Sequence, residues 1–322
     1  MLLKTDSANV TQSNIGLGCW QLGSTSYGPV VDSEAKSIIS LALSSNIQLF
    51  DTSPTYGNGL SETRLGLYLP KEGDFFVATK VGMLPHDNTH IIYDFSFQGM
   101  CESLYASKER LQVEYFDLVQ LHSPSSDVIQ QSGLAEKLGK VSEALQVRRW
   151  GISLKSPIDI PLAVKVYDWY SIQFNFSLMD QRILSFRQLL ENRQFKTIAR
   201  TPFNFGFLTR DFELDSALKI PGHQLANWNS EQLNSWSISA DKFKSVAMKY
   251  GIHLDQLALR FILDIGLIDF VIPGATNKND LWRNLETSIL KPLTKSQLNE
   301  LLEIGLAESA VKSPYNHIIN GQ

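Results

Sequence analysis

Three observations predict an α/β fold, a single (β/α)8 barrel. Eight short apolar or β-branched runs alternate with longer segments of helical period along the 322 residues. A chain of this length exceeds an ordinary domain, yet closed α/β barrels commonly reach it as one domain. The glycine-rich first turn of a doubly wound open sheet is missing, because GLGCWQLG leads into no helix at the required spacing.

The expected strands run over 14–20 (NIGLGCW), 47–53 (IQLFDTS), 75–80 (FFVATK) and 116–122 (FDLVQLH). Four more follow at 148–153 (RRWGIS), 170–176 (YSIQFNF), 196–201 (KTIART) and 269–275 (DFVIPGA). Each is rich in β-branched or aromatic residues and ends in polar or turn-forming ones. Between them lie amphipathic segments: SEAKSIISLALSS, SETRLGLYL, QGMCESLYASKERLQ, SGLAEKLGKVSEALQ and IDIPLAVKVYD. In the first of these Ile38, Leu41, Ala42 and Leu43 share a face, and Ser33 is the expected N-cap. Residues 202–268 are too many for an ordinary connection and predict a long loop before the eighth strand. Its stretch 208–236, polar and aromatic, has the composition of a cover over a site. Beyond the eighth strand, LTKSQLNELLEIGLAES follows Pro292 and predicts a C-terminal helical tail capped by Thr294. No repeat, linker or low-complexity tract interrupts the chain, so 1–322 is expected to be one domain.

Composition narrows the function classes. Hydrophobic residues make up 43% and charged ones 19%, the balance of a globular protein with a large core. A net charge of −4 argues against a nucleic-acid partner, which calls for a basic surface. Cys19 and Cys101 are too few for a disulfide framework and read as reduced thiols. The N-terminus lacks a signal-peptide core and no apolar run reaches membrane-spanning length, so a soluble cytoplasmic protein with no membrane contact is expected. His86, His90 and His223 show no ligand spacing, and no metal is expected.

The chemistry concentrates in Asp51, Tyr56, Lys80 and His122, each at or just beyond the end of a predicted strand. Active sites of such barrels form at the carboxyl ends of the strands, so these side chains can share one mouth. Singly each has a plain alternative: Asp51 as a turn residue, Lys80 as a solvated charge, Tyr56 as a turn aromatic, His122 as a loop histidine before Ser-Pro. Jointly they form a proton-transfer site. An ammonium near a phenol favours the phenolate, so Tyr56 is expected to have a lowered pKa and to protonate a carbonyl oxygen, with His122 orienting that oxygen. Trp20 is placed at the mouth by GLGCWQLG; Met83, Trp228 and Trp236 read as packing residues, and Cys19, without a base partner, as structural.

FDTSPTYGNGLSETRLG, ATKVG, DLVQLHSP and VIPGATNKNDLWRNLE resemble, in order and spacing, the motifs of the aldo-keto reductase superfamily. The stretch YDFSFQGMCESLYASKERLQVEYFDLVQLH is similar to bacterial members acting on sugars, including aldose dehydrogenases. The resemblance implies a (β/α)8 barrel, NAD(P)H-dependent interconversion of a small carbonyl and an alcohol, and a tetrad of Tyr56, Lys80, Asp51 and His122. It implies that Trp20 and Asp51 lie beside the nicotinamide and that Ser153 and Gln173 bind its carboxamide. Leu154 stands where many members have asparagine, and Arg200 where an aromatic often stacks on the ring. Thr201, Pro202, Phe203 and Gly206 match the pyrophosphate loop. Gly274, Thr276 and Asn284 match the adenosine end. There Asp280 replaces a common arginine or glutamine and Arg283 a common glutamate, and the two, three apart on a helix, could pair with each other. Lys278 and Arg283 could meet a 2′-phosphate, whereas Asp280 would repel it or bind a free 2′-hydroxyl; the resemblance makes NADPH the expected cofactor, with NADH open. Two other functions fit the same residues: a cofactor-binding module resembling potassium-channel β subunits, and a reductase of a conjugated double bond in a nucleotide sugar. The substrate and the oligomeric state are open.

Overall fold

The structure is a computed structural model describing residues 14–85 and 91–312, the last six as backbone only. His86 and His90 lie outside the described residues. The strands are β1 (Leu17–Gly18), β2 (Leu49–Asp51), β3 (Phe76–Val81), β4 (Leu118–His122), β5 (Trp150–Ser153), β6 (Ser171–Asn175), β7 (Lys196–Arg200) and β8 (Phe270–Val271). They pair in chain order, each parallel to the next. Parallel bridges Ile15–Val271 and Gly18–Gly274 join the last strand to the first, which curls the sheet closed as a barrel requires.

Period-two alternation splits the strands between two cores. Phe50, Val119, Leu121, Ile152, Ile172 and Phe174 join the large core shared with the helices. Leu49, Ala78, Leu118, Ile198, Phe270 and Ile272 form a separate cluster that fills the barrel. Asp51, Lys80 and Gln120 lie two residues beyond Leu49, Ala78 and Leu118, so the inward face turns polar at the carboxyl end.

The early helices are α1 (Asp32–Ser44), α2 (Leu60–Tyr68), α3 (Phe97–Leu111), α4 (Ser126–Gln130), α5 (Leu134–Leu145), α6 (Ile160–Val166) and α7 (Arg187–Glu191). Helix α1 buries Ala35, Ile38, Ile39, Leu41 and Ala42, whereas Leu43 is half-buried. It begins one residue before the expected Ser33 cap, with Val31 at the cap position. Asp32 is held there by Arg64 of α2 (Nε–Oδ1 2.9 Å), whose guanidinium also donates to the Val30 carbonyl at 2.8 Å. A tertiary charged contact fixes this helix start, and the local serine plays no part in it.

Residues 202–268 are not one long loop. They contain α8 (Leu214–Leu218), α9 (Ser230–Tyr250) and α10 (Leu254–Asp264). Asn229 caps α9 by accepting from Gln232 N–H at 2.8 Å, and Gly251 ends it at φ 69°. Trp236 is buried and packs against Phe205, Phe207 and Trp228, as its reading as a packing residue requires. After β8 come α11 (Lys278–Glu286) and α12 (Lys295–Lys312). Thr294 and Gln297 cap α12 reciprocally, Thr294 N–H to Gln297 Oε1 at 2.8 Å and Gln297 N–H to Thr294 Oγ1 at 3.3 Å. The tail docks on α9 where the Tyr250 hydroxyl donates to Glu300 at 2.8 Å. Among the described residues no helix is long and apolar enough to cross a membrane.

Candidate active site

The mouth of the barrel brings the four expected residues together. Lys80, at 1% exposure, donates from Nζ to Asp51 Oδ1 (2.5 Å), the Thr52 carbonyl (3.0 Å) and the Tyr56 hydroxyl (3.0 Å). All three ammonium hydrogens are therefore directed, and the phenol is held against a fixed cation. Asp51 Oδ2 accepts from Gln173 Nε2 at 2.7 Å and Gln120 Nε2 at 3.0 Å. Ser153 Oγ donates to Gln173 Oε1 at 2.9 Å, extending the network to β5 and β6. His122 is anchored by Ser53 Oγ, 3.2 Å from Nδ1, and its ring stands edge-on to Tyr56 with centroids 6.2 Å apart. Trp20 stacks on the other aromatic neighbour of the mouth, the Tyr56 ring, at 5.9 Å and 12°.

Loop contact positions Tyr56. Gly57 lies at φ 62°, and a Cβ on it would overlap the Gly23 carbonyl, while one on Gly23 would overlap the Tyr56 carbonyl. Two glycines thus let the β1 and β2 loops touch backbone to backbone.

The proton inventory departs from the expectation in one respect. Burial pushes the Tyr56 phenol up, and although Lys80 opposes this, Asp51 adds to it, so the net shift is above the ordinary value. The cation does not outweigh desolvation, and Tyr56 is a well-held proton donor and not a preformed phenolate. Burial pushes Lys80 down, but Asp51 and then Tyr56 more than reverse this, and the ammonium stays charged. Burial also pushes the Cys19 thiol well up, in keeping with a structural role.

The fit of a nicotinamide dinucleotide can be judged at the end of β7. Arg200 Nε and Asn204 Nδ2 are buried donors without a partner among the described residues, although Arg200 Nη2 donates to the Leu154 carbonyl at 2.8 Å. Thr201, Asn204, Phe205 and Gly206 all have positive φ, folding 201–206 into a tight cradle between these donors. Unpaired buried donors on a tight turn suit the amide and anionic groups of such a cofactor. Pro202 is buried and Phe203 half-buried within it. Two of the expected contacts are already engaged: Gly206 N–H donates to the Phe203 carbonyl (3.0 Å) and Thr201 Oγ1 to Asn175 Oδ1 (3.0 Å).

At the far end, Asp280 and Arg283 do not pair. Asp280 Oδ2 accepts from Thr276 N–H (3.0 Å), Thr276 Oγ1 (2.6 Å) and Asn277 Nδ2 (3.0 Å). Arg283 Nη1 instead donates to Asp211 Oδ2 at 3.0 Å. Asp280 lies in the first turn of α11 and folds back onto the turn that enters the helix, while Arg283, nearly a turn later, meets a carboxylate from another segment. Asn284 Nδ2 donates to the Gly274 carbonyl at 3.2 Å, closing the turn after β8. Lys278 contributes its backbone N–H to Glu34 Oε1 at 2.6 Å, and its side chain is exposed.

The sequence reading missed Gln120, Ser53 and Glu34. Gln120 lies two residues before His122 on one strand, so alternation alone places both on the inner face. Ser53 and Glu34 carry no such local signal. Among the described residues no group of three His, Cys, Asp or Glu is placed to hold a metal ion.

A family model described as the aldo/keto reductase family matches residues 14–305. An uncharacterized oxidoreductase of Bacillus subtilis, YqkF, is 28% identical over 92% of this chain and 94% of its own. A D-threo-aldose 1-dehydrogenase from a Pseudomonas species is 26% identical over 86% of this chain and 89% of its own. Among solved structures, a glycerol dehydrogenase from Gluconobacter oxydans superposes with TM-score 0.75 at 24% identity, covering 95% of both chains. At that identity the likeness speaks for the fold alone.

Proposed function

The chain belongs to the aldo/keto reductase family of oxidoreductases, and on that premise we propose that it interconverts a carbonyl and an alcohol with Tyr56 as the proton donor. The observation that carries the proposal is the Lys80 ammonium, bonded at once to Asp51, Thr52 and the Tyr56 hydroxyl in a buried mouth. When bound, a reduced nicotinamide supplies hydride to the carbonyl carbon. Tyr56 gives its phenolic proton to the carbonyl oxygen, completing the alcohol, and the phenolate left behind is stabilised by Lys80. Asp51 keeps Lys80 charged, and Gln120 and Gln173 hold Asp51 in place. His122, anchored by Ser53, orients the reacting oxygen from the edge of the Tyr56 ring. In the reverse direction Tyr56 accepts the proton, and the raised phenol makes that direction favoured by rising pH.

The nicotinamide end would lie over Ser153, Gln173 and Trp20, with Arg200 against the ring through its planar guanidinium. The 201–206 cradle would take the pyrophosphate, and 274–284 the adenosine. The proposed substrate is a small aldehyde or ketone of the sugar class, a reading supported by the aldose dehydrogenase among the relatives. Steady-state dinucleotide oxidation across a panel of aldehydes, ketones and aldoses tests this. Turnover giving an alcohol is expected on at least one carbonyl. Tight dinucleotide binding without turnover on any of them would refute it in favour of a binding module, and a product with a saturated carbon–carbon bond and an intact carbonyl would refute it chemically.

A further inference from the structure

We infer that this chain selects against a 2′-phosphate on the adenosine ribose and takes NADH, with Glu34 and Asp280 deciding the choice. The inference rests on the proposed use of a nicotinamide dinucleotide whose adenosine lies at 274–284; it reverses the NADPH expectation that the resemblance implied and takes up the other reading of Asp280.

A helix N-terminus normally offers its N–H groups to an anion. At α11 the first of those donors already holds a carboxylate, Asn277 caps the Asp280 N–H, and a second carboxylate is seated on the turn just before the cap. Lys278 N–H donates to Glu34 Oε1 at 2.6 Å, a contact spanning 244 positions of sequence. Thr276 N–H and Thr276 Oγ1 donate to Asp280 Oδ2 at 3.0 and 2.6 Å, and Asn277 Nδ2 donates to the same oxygen at 3.0 Å. Arg283 on the same helix donates to Asp211 at 3.0 Å. The adjoining Arg210 anchors this segment through a two-toothed pair with Asp255 at the start of α10 (2.8 and 3.1 Å), although the Asp211 carboxylate itself is exposed.

Glu34 is positioned by the fold: it sits in the first turn of α1, and α1 packs on α11. A phosphate dianion brought to this corner would meet two carboxylates and would have to draw Arg283 away from a third. The exposed Lys278 ammonium would offset only part of that. A ribose with a free 2′-hydroxyl can instead donate to Glu34 or Asp280, which are acceptors only. Like charges set against each other are among the strongest specificity devices available to a binding site.

The test is equilibrium binding, followed by quenching of tryptophan fluorescence in the full chain titrated with NADH and with NADPH. Adenosine 5′-monophosphate and adenosine 2′,5′-bisphosphate serve as probes of the adenosine end alone. NADPH should bind about tenfold or more weakly than NADH, and the bisphosphate more weakly than the monophosphate. Glu34→Gln and Asp280→Asn each keep a neutral acceptor and should each narrow both gaps by about three- to tenfold. NADPH binding as tightly as NADH would overturn the inference while leaving the cofactor assignment standing. Gaps unmoved by both variants would overturn the roles of Glu34 and Asp280. Failure of both dinucleotides to bind would refute the cofactor assignment, and this inference with it.

Discussion

Replacing Lys80 by methionine removes the cation from the site while keeping most of the side-chain volume. In the structure its Nζ lies 3.0 Å from the Tyr56 hydroxyl. At an effective dielectric of about 20, an ammonium and a phenolate that far apart attract by about 5 kcal/mol, a ceiling of about four pKa units. Asp51 reinforces the effect once it faces the phenolate unopposed, so a rise of about two units or more is expected for Tyr56. Oxidation of the alcohol needs Tyr56 as a base, so at a fixed pH below that pKa the rate should fall about a hundredfold or more. One side effect must be separated. Asp51 is buried, and stripping its cation should cost roughly 3–5 kcal/mol of stability. The double variant Asp51→Asn/Lys80→Met removes that stranded charge, so it should recover much of the melting temperature without recovering the pH profile. The assay is the pH dependence of kcat in the oxidation direction for wild type, single and double variants, with circular dichroism as the fold control. An unmoved profile in a folded variant would refute the role of Lys80.

Further outcomes follow from the same geometry. Tyr56 and Lys80 both have folded pKa values above their ordinary values of 10.0 and 10.5. Between the ordinary and the folded values the native state binds more protons than the unfolded one, so this contribution to stability is complete below about pH 10 and is lost as pH rises through the folded values. Melting curves between pH 9 and 12 should therefore fall more steeply for wild type than for Tyr56→Phe; parallel slopes would contradict the raised phenol. Gly57→Ala places a side chain at φ 62° and into the Gly23 carbonyl. It should cost about 1–3 kcal/mol and, by displacing Tyr56, lower kcat up to a hundredfold or so. Melting and steady-state kinetics check it, and an unchanged kcat would show that the loop contact does not position the acid.

Much of the barrel and its tetrad can be read from the chain because their signals are local. Asp51, Lys80 and His122 each end an apolar run, and alternation within a strand aims them inward without any knowledge of the neighbours. Thr294 and its partner Gln297 likewise lie within one helical turn. Residues 202–268 are less legible: their number suggests a loop, yet Asn229 and Gly251 are the start and stop signals of a 21-residue helix. Asp280 and Arg283 have the spacing of a surface pair, but position within the helix outweighed spacing. Asp280 folds back onto Thr276 and Asn277 in the turn before the helix, and Arg283 nearly a turn later faces Asp211 from another segment. Glu34 at Lys278 and Arg64 at Asp32 depend on the packing of one helix against another, which no local pattern encodes. The Tyr56 pKa departs from the sequence expectation for a related reason: the cation is visible in the sequence and the depth of burial is not.

The central claim is that the Tyr56 hydroxyl delivers the proton, and Tyr56→Phe tests it most directly. The substitution deletes one oxygen and leaves the ring stacked on Trp20 and edge-on to His122. Single-turnover reduction, followed by loss of reduced-dinucleotide absorbance at saturating cofactor and carbonyl, isolates the chemical step. The account predicts a fall of about 10²–10⁴-fold in that step with dinucleotide affinity little changed. A near-normal rate in the folded variant would contradict it.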